Sequence, residues 1–278
     1  MVAPDRQAII DAIEQANCVI PQIPGYCDYA TISGVLTCVS RADDPMSNKA
    51  MLARLDERTV EVAIERVIAH FAARRKPFSW IVGPGSTPAD LGSRLLTFGF
   101  GQPLVCHGMY LPDPAINMAV NPSIKVREVP VAQPGPCVEI MASVFNMAIE
   151  SSRSLHEIMA ITAPQLRPRI YAAYVDSMDT PVACAYLTHF PDRPIALLCG
   201  GATPQEYRGR GVYKALLARR LADITREGIN TVIVLADQRT SAPICARAVF
   251  AKVCDLQMYV WRPEKSASVQ SEITQQPA

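Results

Sequence analysis

The chain has 278 residues, of which 49% are hydrophobic, and its 27 lysines and arginines nearly balance 26 aspartates and glutamates, for a formal net charge of +1. Nucleic-acid-binding proteins normally carry a strong basic excess, so this balance argues against nucleic acid as a partner. No apolar run reaches the roughly 20 residues that a membrane-spanning helix needs, and we expect no membrane span. The length predicts two compact units.

Nine cysteines are scattered along the chain without CxxC pairs, and several of them, including Cys184, Cys199 and Cys245, lie in apolar stretches. Buried, unpaired thiols are typical of a reducing compartment. The acidic, amphipathic first residues are also unlike a secretory signal. We therefore expect a cytoplasmic protein. The four histidines are too dispersed to predict a metal site, and we expect no metal.

The first half contains alternating predicted helices and strands. They are a helix over 5–17, a strand over 29–41, an amphipathic helix over 55–75, a short strand over 78–83, a helix after Pro88 and a strand over 103–111. Ser86 or Thr87 is the expected N-cap of the helix after Pro88. Residues 112–122 are rich in proline and aperiodic, which is typical of a linker.

The second half has a richer pattern, in the order β-α-α-β-β-β-α-β-α-β. The predicted strands cover 124–129, 169–176, 181–190, 194–203, 230–237 and 256–262, and the predicted helices cover 134–149, 151–162, 212–227 and 241–253. The first half ends with a similar succession of strand, long helix, short strand, helix and strand. We interpret this as a duplicated α/β unit with a mixed sheet. The expected domains are 1–115, 116–263 and a polar, disordered tail over 264–278.

The segment 203–217, "TPQEYRGRGVYKALL", joins a predicted strand to a helix. Pro204 ends the strand because proline cannot donate to the ladder. Gly209 and Gly211 allow a ligand to approach the main chain, and the first amides of a helix bind phosphate readily. Arg208 and Arg210 add cationic donors. The segment lacks a P-loop or dinucleotide pattern and an aromatic-rich basic tract, so it predicts a pyrophosphate site rather than those alternatives.

The stretch "EYRGRGVYKALLARRLADITREG" resembles the acyl-coenzyme A loop and helix of the GNAT superfamily of N-acetyltransferases, whose pattern is R/Q-x-x-G-x-G/A. Arg208, Gly211 and Tyr213 occupy the three specified positions, so a tyrosine replaces the last small residue. The element order of 123–262 matches that fold as well. The resemblance implies two GNAT-like domains in tandem. The first is degenerate, because no glycine lies between its strand and its helix, and it would cover one side of the acceptor site.

The resemblance also implies a V-shaped opening between the parallel strands 195–202 and 231–238. Acetyl-CoA or another acyl-CoA would bind there, with the pantetheine arm along the first strand and the pyrophosphate on the loop amides. The side chain of Tyr213 would have to point away from the pyrophosphate. The implied coenzyme-binding residues are Cys199, Gly200, Gly201, Ala202, Thr203, Arg208, Gly209, Arg210, Gly211, Val212 and Tyr213.

The residues for acid–base chemistry are less well indicated. GNAT proteins often place a tyrosine acid in the penultimate helix, where this chain has Phe250, which we expect to be a core residue. The strand 195–202 has no carboxylate, and Cys199 lacks a histidine partner in the sequence, so we expect it to pack rather than react. Asp237 and Ser241 would face the cleft and are the candidate catalytic residues, with turn formation and helix capping as the alternative.

Two further side chains, Glu150 and His156, flank the helices that usually shape the acceptor pocket, and we expect them at the surface. The predicted function is an acyl-CoA-dependent N-acyltransferase, with acetyl as the expected group. It would act on a primary amine of a small molecule or peptide, which attacks the thioester directly. The alternatives are a catalytically silent coenzyme A-binding protein and transfer of a longer acyl chain. The sequence leaves a homodimer open.

Overall fold

The computed structural model describes residues 5–176 and 178–263. Within these ranges, eleven strands form one mixed sheet, with helices packed on its two faces. The strands are β1 (Cys27–Ile32), β2 (Val35–Ser40), β3 (Lys49–Met51), β4 (Phe78–Val82), β5 (Leu104–Leu111), β6 (Ile124–Val129), β7 (Arg169–Val175), β8 (Ala183–His189), β9 (Ile195–Ala202), β10 (Thr231–Asp237) and β11 (Ala251–Trp261). The helices are α1 (Arg6–Gln15), α2 (Val60–Ala72), α3 (Leu91–Thr97), α4 (Cys137–Val144), α5 (Ile149–Ile161), α6 (Ala163–Leu166), α7 (Val212–Arg226) and α8 (Ala242–Arg247).

The strand order is β1-β2-β3-β4-β11-β5-β10-β9-β8-β7-β6. Two pairs are parallel, β3 with β4 and β9 with β10, and the other neighbours are antiparallel. Each parallel pair is connected by one long crossover helix, α2 in the first half and α7 in the second. The two halves therefore repeat one topology, as the internal pattern of the sequence predicts.

The last strand of each half lies in the sheet of the other half. Strand β5, from the first half, pairs with β10 from Val232↔Leu111 to Asp237↔Cys106. Strand β11, from the second half, pairs with β4 from Gln257↔Val82 to Trp261↔Phe78. This exchange joins the two halves into one continuous sheet. The domain boundary between residues 115 and 116 remains a prediction. Strands β5 and β11 each pair with a strand from the other side of this boundary.

The helices form because their apolar residues recur at helical spacing and meet the sheet. In α2, Val60, Ile64, Val67 and Phe71 lie on one buried face. The ring of Phe71 stacks on Phe78 of β4, with centroids 4.1 Å apart. A second cluster joins α1 to both halves of the sheet; it includes Ile10, Ile13, Met51, Leu197 and Ile233. The first half thus packs against one face of β9 and β10.

Three predictions about helices and strands differ from the structure. The strand predicted over 29–41 is a hairpin, because Ser33 and Gly34 both have positive φ (49° and 85°) and reverse the chain. The helix predicted over 241–253 ends at Arg247, since Val249 adopts a left-handed conformation (φ 57°) and β11 follows. Neither Ser86 nor Thr87 caps α3, whose N-cap residue is Asp90.

Ser86 and Thr87 instead serve the turn before α3. Ser86 Oγ accepts a hydrogen bond from the Gly83 amide (3.0 Å), and Thr87 Oγ1 donates to the Leu55 carbonyl (3.0 Å). No helix in the described ranges is long and apolar enough to cross a membrane. The tail expected to be disordered, 264–278, lies outside the described residues.

Candidate functional site

The parallel strands β9 and β10 separate part-way along their length. Their pairing runs from Thr231↔Ile195 to Val234↔Leu198, and among the described residues none of 199–202 pairs with β10. Beyond that point β9 continues on β8, and β10 continues on β5. The opening that the sequence predicts between these two strands is therefore present. Within the described ranges, the main chain of 199–202 therefore has no strand partner on the side that faces β10.

A bulge in β9 shapes one wall of this opening. The register with β8 shifts between Cys184↔Ala202 and Tyr186↔Cys199, where Gly200 has a positive φ of 56°. A Cβ on Gly200 would lie 2.3 Å from the Tyr186 ring, and one on Gly201 would lie 2.7 Å from the Tyr213 ring. Both positions exclude a side chain because an aromatic ring already lies against the backbone.

The glycine-containing loop leads from β9 into α7. Gly209 and Gly211 both have positive φ, 74° and 87°, and no atom lies within 4 Å of a Cβ on Gly209. Gly211 is the N-cap of α7, and the Ala215 amide is the donor to its carbonyl (3.0 Å). The backbone amides between Gly211 and Ala215 therefore have no acceptor within the helix, and they lie at the positive end of the helix dipole.

The two loop arginines are exposed and are held differently. Arg208 donates from Nε to the Thr203 carbonyl (3.0 Å), which closes the loop on the end of β9. The Arg210 guanidinium lies 5.7 Å from the centre of the Tyr207 ring. A groove of about 480 Å³ lies beside residues 204–208, before the two glycines, and is bounded on its other side by Glu139 and its neighbours on α4. Of the two loop arginines, Arg208 is the one that lines this groove.

Tyr213 lies at the inner end of the opening. Its ring contacts the backbone at Gly201 of β9, and its hydroxyl is 3.8 Å from the Sγ atom of Cys245 on α8. Burial raises the pKa of the Tyr213 phenol to about 12. The ring thus bridges β9 and α8, so it occupies space that a small residue at this position would leave free.

A buried tyrosine–histidine pair lies behind the bulge. His156 Nδ1 is 2.7 Å from the Ser152 carbonyl, which requires a proton on Nδ1 and leaves Nε2 to accept from the Tyr186 hydroxyl at 2.8 Å. Burial lowers the pKa of His156, so the ring is neutral at pH 7. The surface position expected for His156 is wrong, because only 4% of it is exposed. Glu150 is exposed as expected.

The structure gives Asp237 a turn-forming role. Its Oδ1 atom accepts hydrogen bonds from the amides of Arg239 (2.8 Å) and Thr240 (3.0 Å) and from the Thr240 hydroxyl (3.1 Å). Ser241 is the N-cap of α8 and makes no capping hydrogen bond through its side chain. A catalytic role for either residue stays a prediction. Phe250 is 4% exposed in the core beside α8, as expected, and lies between α8 and β11.

The corresponding opening of the first half is filled by Glu14 of α1. The pairing of β3 with β4 ends at Ala50↔Trp80. Glu14 Oε1 accepts from the Gly85 amide (3.0 Å), and Oε2 lies 3.7 Å from Arg54. The loop from β3 to α2 has no glycine. The Glu14 side chain therefore occupies the opening of the first half, and the remaining cavity there measures about 10 Å³.

Within the described ranges, no group of three histidine, cysteine, aspartate or glutamate side chains is placed to hold a metal ion. Cys199 is neutral, since burial raises its pKa to about 11. No histidine side chain is among the groups that interact with it in the described part of the chain. The opening is thus formed mainly by backbone groups, aromatic rings and neutral thiols.

Solved structures resemble this chain over most of its length. A GCN5-related N-acetyltransferase from Kribbella flavida superposes with a TM-score of 0.66 at 15% identity, over 93% of this chain and 96% of that one. A tandem GNAT protein from the clavulanic acid biosynthesis pathway gives a TM-score of 0.57 at 12% identity, over 96% and 98%. The chain has the GNAT fold.

A third GNAT structure, a GCN5-related N-acetyltransferase from Sphaerobacter thermophilus, matches with a TM-score of 0.58 at 15% identity, over 83% of this chain and 82% of that one. No protein-family model and no curated protein sequence matches the chain. The match of a tandem GNAT protein to nearly the whole chain agrees with two GNAT-like units, as the sequence predicts. At these identities, the likeness establishes the fold.

Proposed function

We propose that the protein is an acyl-CoA-dependent N-acyltransferase whose donor site is the opening between β9 and β10. The observation that carries this proposal is the position of the glycine-containing loop, which begins α7 directly beyond the end of β9. Free amides and two exposed arginines lie there, next to a strand that has lost its β10 partner. This combination suits the pyrophosphate of coenzyme A.

The pantetheine arm would then lie against the backbone of 199–202, which has no partner on the β10 side in the described part of the sheet. Amide groups of the arm can complete the missing strand contacts. We propose the coenzyme-binding residues as those at the bulge and along the loop. They are Cys199, Gly200, Gly201, Ala202, Thr203, Arg208, Gly209, Arg210, Gly211, Val212 and Tyr213, the last of these through its main-chain amide.

In the proposed reaction, a neutral primary amine of a small molecule or peptide attacks the thioester carbonyl. A C–N bond forms, the C–S bond breaks, the amine loses a proton and the coenzyme thiolate gains one. The acyl group is acetyl in the simplest case, and the apolar strand β9 is also compatible with a longer chain. Asp237, Ser241 and water are the candidates for proton transfer, since Phe250 is buried in the core. We expect this reaction in the cytoplasm, and a homodimer stays open.

A second candidate, a coenzyme A-binding protein without turnover, is favoured by one observation. The ring of Tyr213 bridges Gly201 and Cys245 across the inner end of the opening. Acyl transfer requires the thioester to reach that end, so the ring has to rotate away during catalysis. If it does not rotate, the loop can still hold the pyrophosphate.

Two measurements on the full chain test the proposal. The first is a calorimetric titration with coenzyme A and acetyl-CoA, for which we expect saturable binding. The second is release of free thiol from acyl-CoA donors in the presence of a panel of amines, with the acylated amine identified by mass. Binding with turnover supports the acyltransferase, and binding without turnover on any amine supports the second candidate. The absence of binding contradicts both.

A further inference from the structure

Arg220 is a buried cation at the point where β9 and β10 separate. It lies on α7, and 1% of it is exposed. Its Nε atom donates to the Leu216 carbonyl (3.2 Å), and its Nη1 atom donates to the carbonyls of Tyr186 (3.0 Å) and Cys199 (3.5 Å). Cys199 is the first residue of β9 beyond the last pair with β10. The guanidinium head is therefore held at the inner end of the opening.

No counter-charge accompanies this cation. Among the described residues, no carboxylate forms an ion pair with Arg220, and its buried Nη2 atom has no hydrogen-bond partner. The neighbouring arginines of α7 behave differently, because Arg219 and Arg226 both pair with Asp223. Burial of an ionised group without an opposite charge is costly, so an unpaired guanidinium in this place points to a ligand that supplies the anion.

The groups around the guanidinium are neutral. Burial raises the pKa of Cys199 to about 11 and that of Tyr213 to about 12, and it also raises the pKa of the Cys245 thiol. None of these three side chains offsets the positive charge of Arg220. An oxygen anion beside Nη2 would therefore be its first opposite charge among the described residues.

Under the proposed function, the pyrophosphate lies on the loop and the pantetheine arm follows 199–202. The acyl end of the donor would then lie beside Cys199, whose carbonyl accepts from Arg220. We propose that Arg220 binds a carboxylate at the end of that acyl group, so that the donor is a dicarboxylic acyl-CoA rather than a neutral one. A carboxylate matches the planar fork of a guanidinium and forms charge-assisted hydrogen bonds with it. The ring of Tyr213, centred 6.0 Å from the guanidinium carbon, covers the approach to Arg220. It has to rotate when such a donor enters.

The test compares donors of equal carbon number by calorimetry on the full chain: malonyl-CoA with propionyl-CoA, and succinyl-CoA with butyryl-CoA. We expect the carboxylate-bearing donor of at least one pair to bind about tenfold more tightly. Binding of free coenzyme A distinguishes a failure of the proposed function from a failure of the proposed role of Arg220. If free coenzyme A does not bind, the proposed function fails; if it binds and both pairs show equal affinities, the role of Arg220 alone is overturned.

Variants assign the preference to the residue. Arg220→Gln is expected to abolish the carboxylate preference, measured as the ratio of the two affinities within each donor pair, so that a general change in coenzyme A affinity cancels. The matched control is Arg219→Gln, one residue away on α7, which is expected to keep the preference. If Arg220→Gln does not fold, Arg220→Lys retains the charge without the planar fork and is expected to reduce the preference. A preference that persists unchanged in a folded Arg220 variant contradicts the proposal.

Discussion

The ring of Tyr213 lies where a side chain on Gly201 would be, with a ring carbon 2.7 Å from the position of a Cβ. Strand and helix therefore fit together at the inner end of the opening through one glycine and one aromatic residue. The same contact fills the space between β9 and α8. The packing of the Tyr213 ring therefore stabilises the second half and also closes the inner end of its candidate donor site.

Gly201→Ala is expected to destabilise the protein by about 1–3 kcal/mol, because the added methyl group overlaps the Tyr213 ring. Chemical denaturation measures the loss. The double variant Gly201→Ala, Tyr213→Ala is expected to lose less unfolding free energy than the sum of the losses in the two single variants. Gly101→Ala is the control, since its nearest contact would be at 3.8 Å. Additive effects of Gly201 and Tyr213 would contradict the contact.

Tyr213→Ala is expected to strengthen coenzyme A binding by about tenfold, because the ring no longer has to leave the opening before the pantetheine arm enters. Tyr213→Phe retains the ring and is expected to bind as the wild type does. Calorimetry on both variants measures the effect. Weaker binding by Tyr213→Ala would show that the ring is part of the binding surface rather than an obstacle.

Glu14→Ala is expected to destabilise the protein by about 1 kcal/mol, since it leaves the partly buried Gly85 amide without its acceptor. Coenzyme A affinity is expected to stay unchanged, because Glu14 fills the opening of the first half and lies outside the proposed donor site. Thermal denaturation and calorimetry measure the two effects. A second coenzyme A bound per chain in Glu14→Ala would show that the first half retains a binding site.

His156 is expected to make stability depend on pH. Burial lowers its pKa below the ordinary value of 6.5, although the carboxylate of Glu139 opposes the shift. The unfolded chain therefore binds a proton at a higher pH than the folded one. The stabilisation is present above about pH 6.5 and is lost as the pH falls below it.

Urea denaturation between pH 5 and 7.5 measures this dependence. Burial also lowers the pKa of His70 and His189, so the relevant quantity is the difference between the wild type and His156→Gln. We expect the free energy of unfolding of the variant to fall less steeply on acidification. If the unfolding free energy depends on pH equally in the two proteins, His156 does not contribute to this dependence between pH 5 and 7.5.

The local elements of the candidate site follow from the sequence. Gly209 and Gly211 adopt the positive φ that only glycine takes readily, and α7 begins directly after them, so a pattern of glycines before an amphipathic helix is sufficient to locate the loop. The parallel pair β9 and β10 follows from the strand–helix–strand order. These features depend on residues that are close in the sequence.

The features that the sequence does not indicate depend on distant contacts. Strands β5 and β11 each pair with a strand of the other half. The alternation of side chains in a strand indicates which face is buried, but it does not identify the neighbouring strand. Arg220 and Glu14 are charged residues on helices, where exposure is the usual state, so their burial is evident only after the sheet is assembled. For His156, the buried face of α5 at 152, 156 and 159 was the available signal.

The central claim is that the loop before α7 binds coenzyme A, and the most direct test is a calorimetric titration of coenzyme A into three proteins: the wild type, Gly211→Val and Gly228→Val. Both glycines have positive φ, 87° and 72°, with no atom closer than 3.8 Å to an added Cβ, so the backbone strain of the two substitutions is comparable. Gly211 precedes α7 and Gly228 follows it. The account predicts saturable binding by the wild type and by Gly228→Val, and no detectable binding by folded Gly211→Val; equal affinities in all three proteins would contradict it.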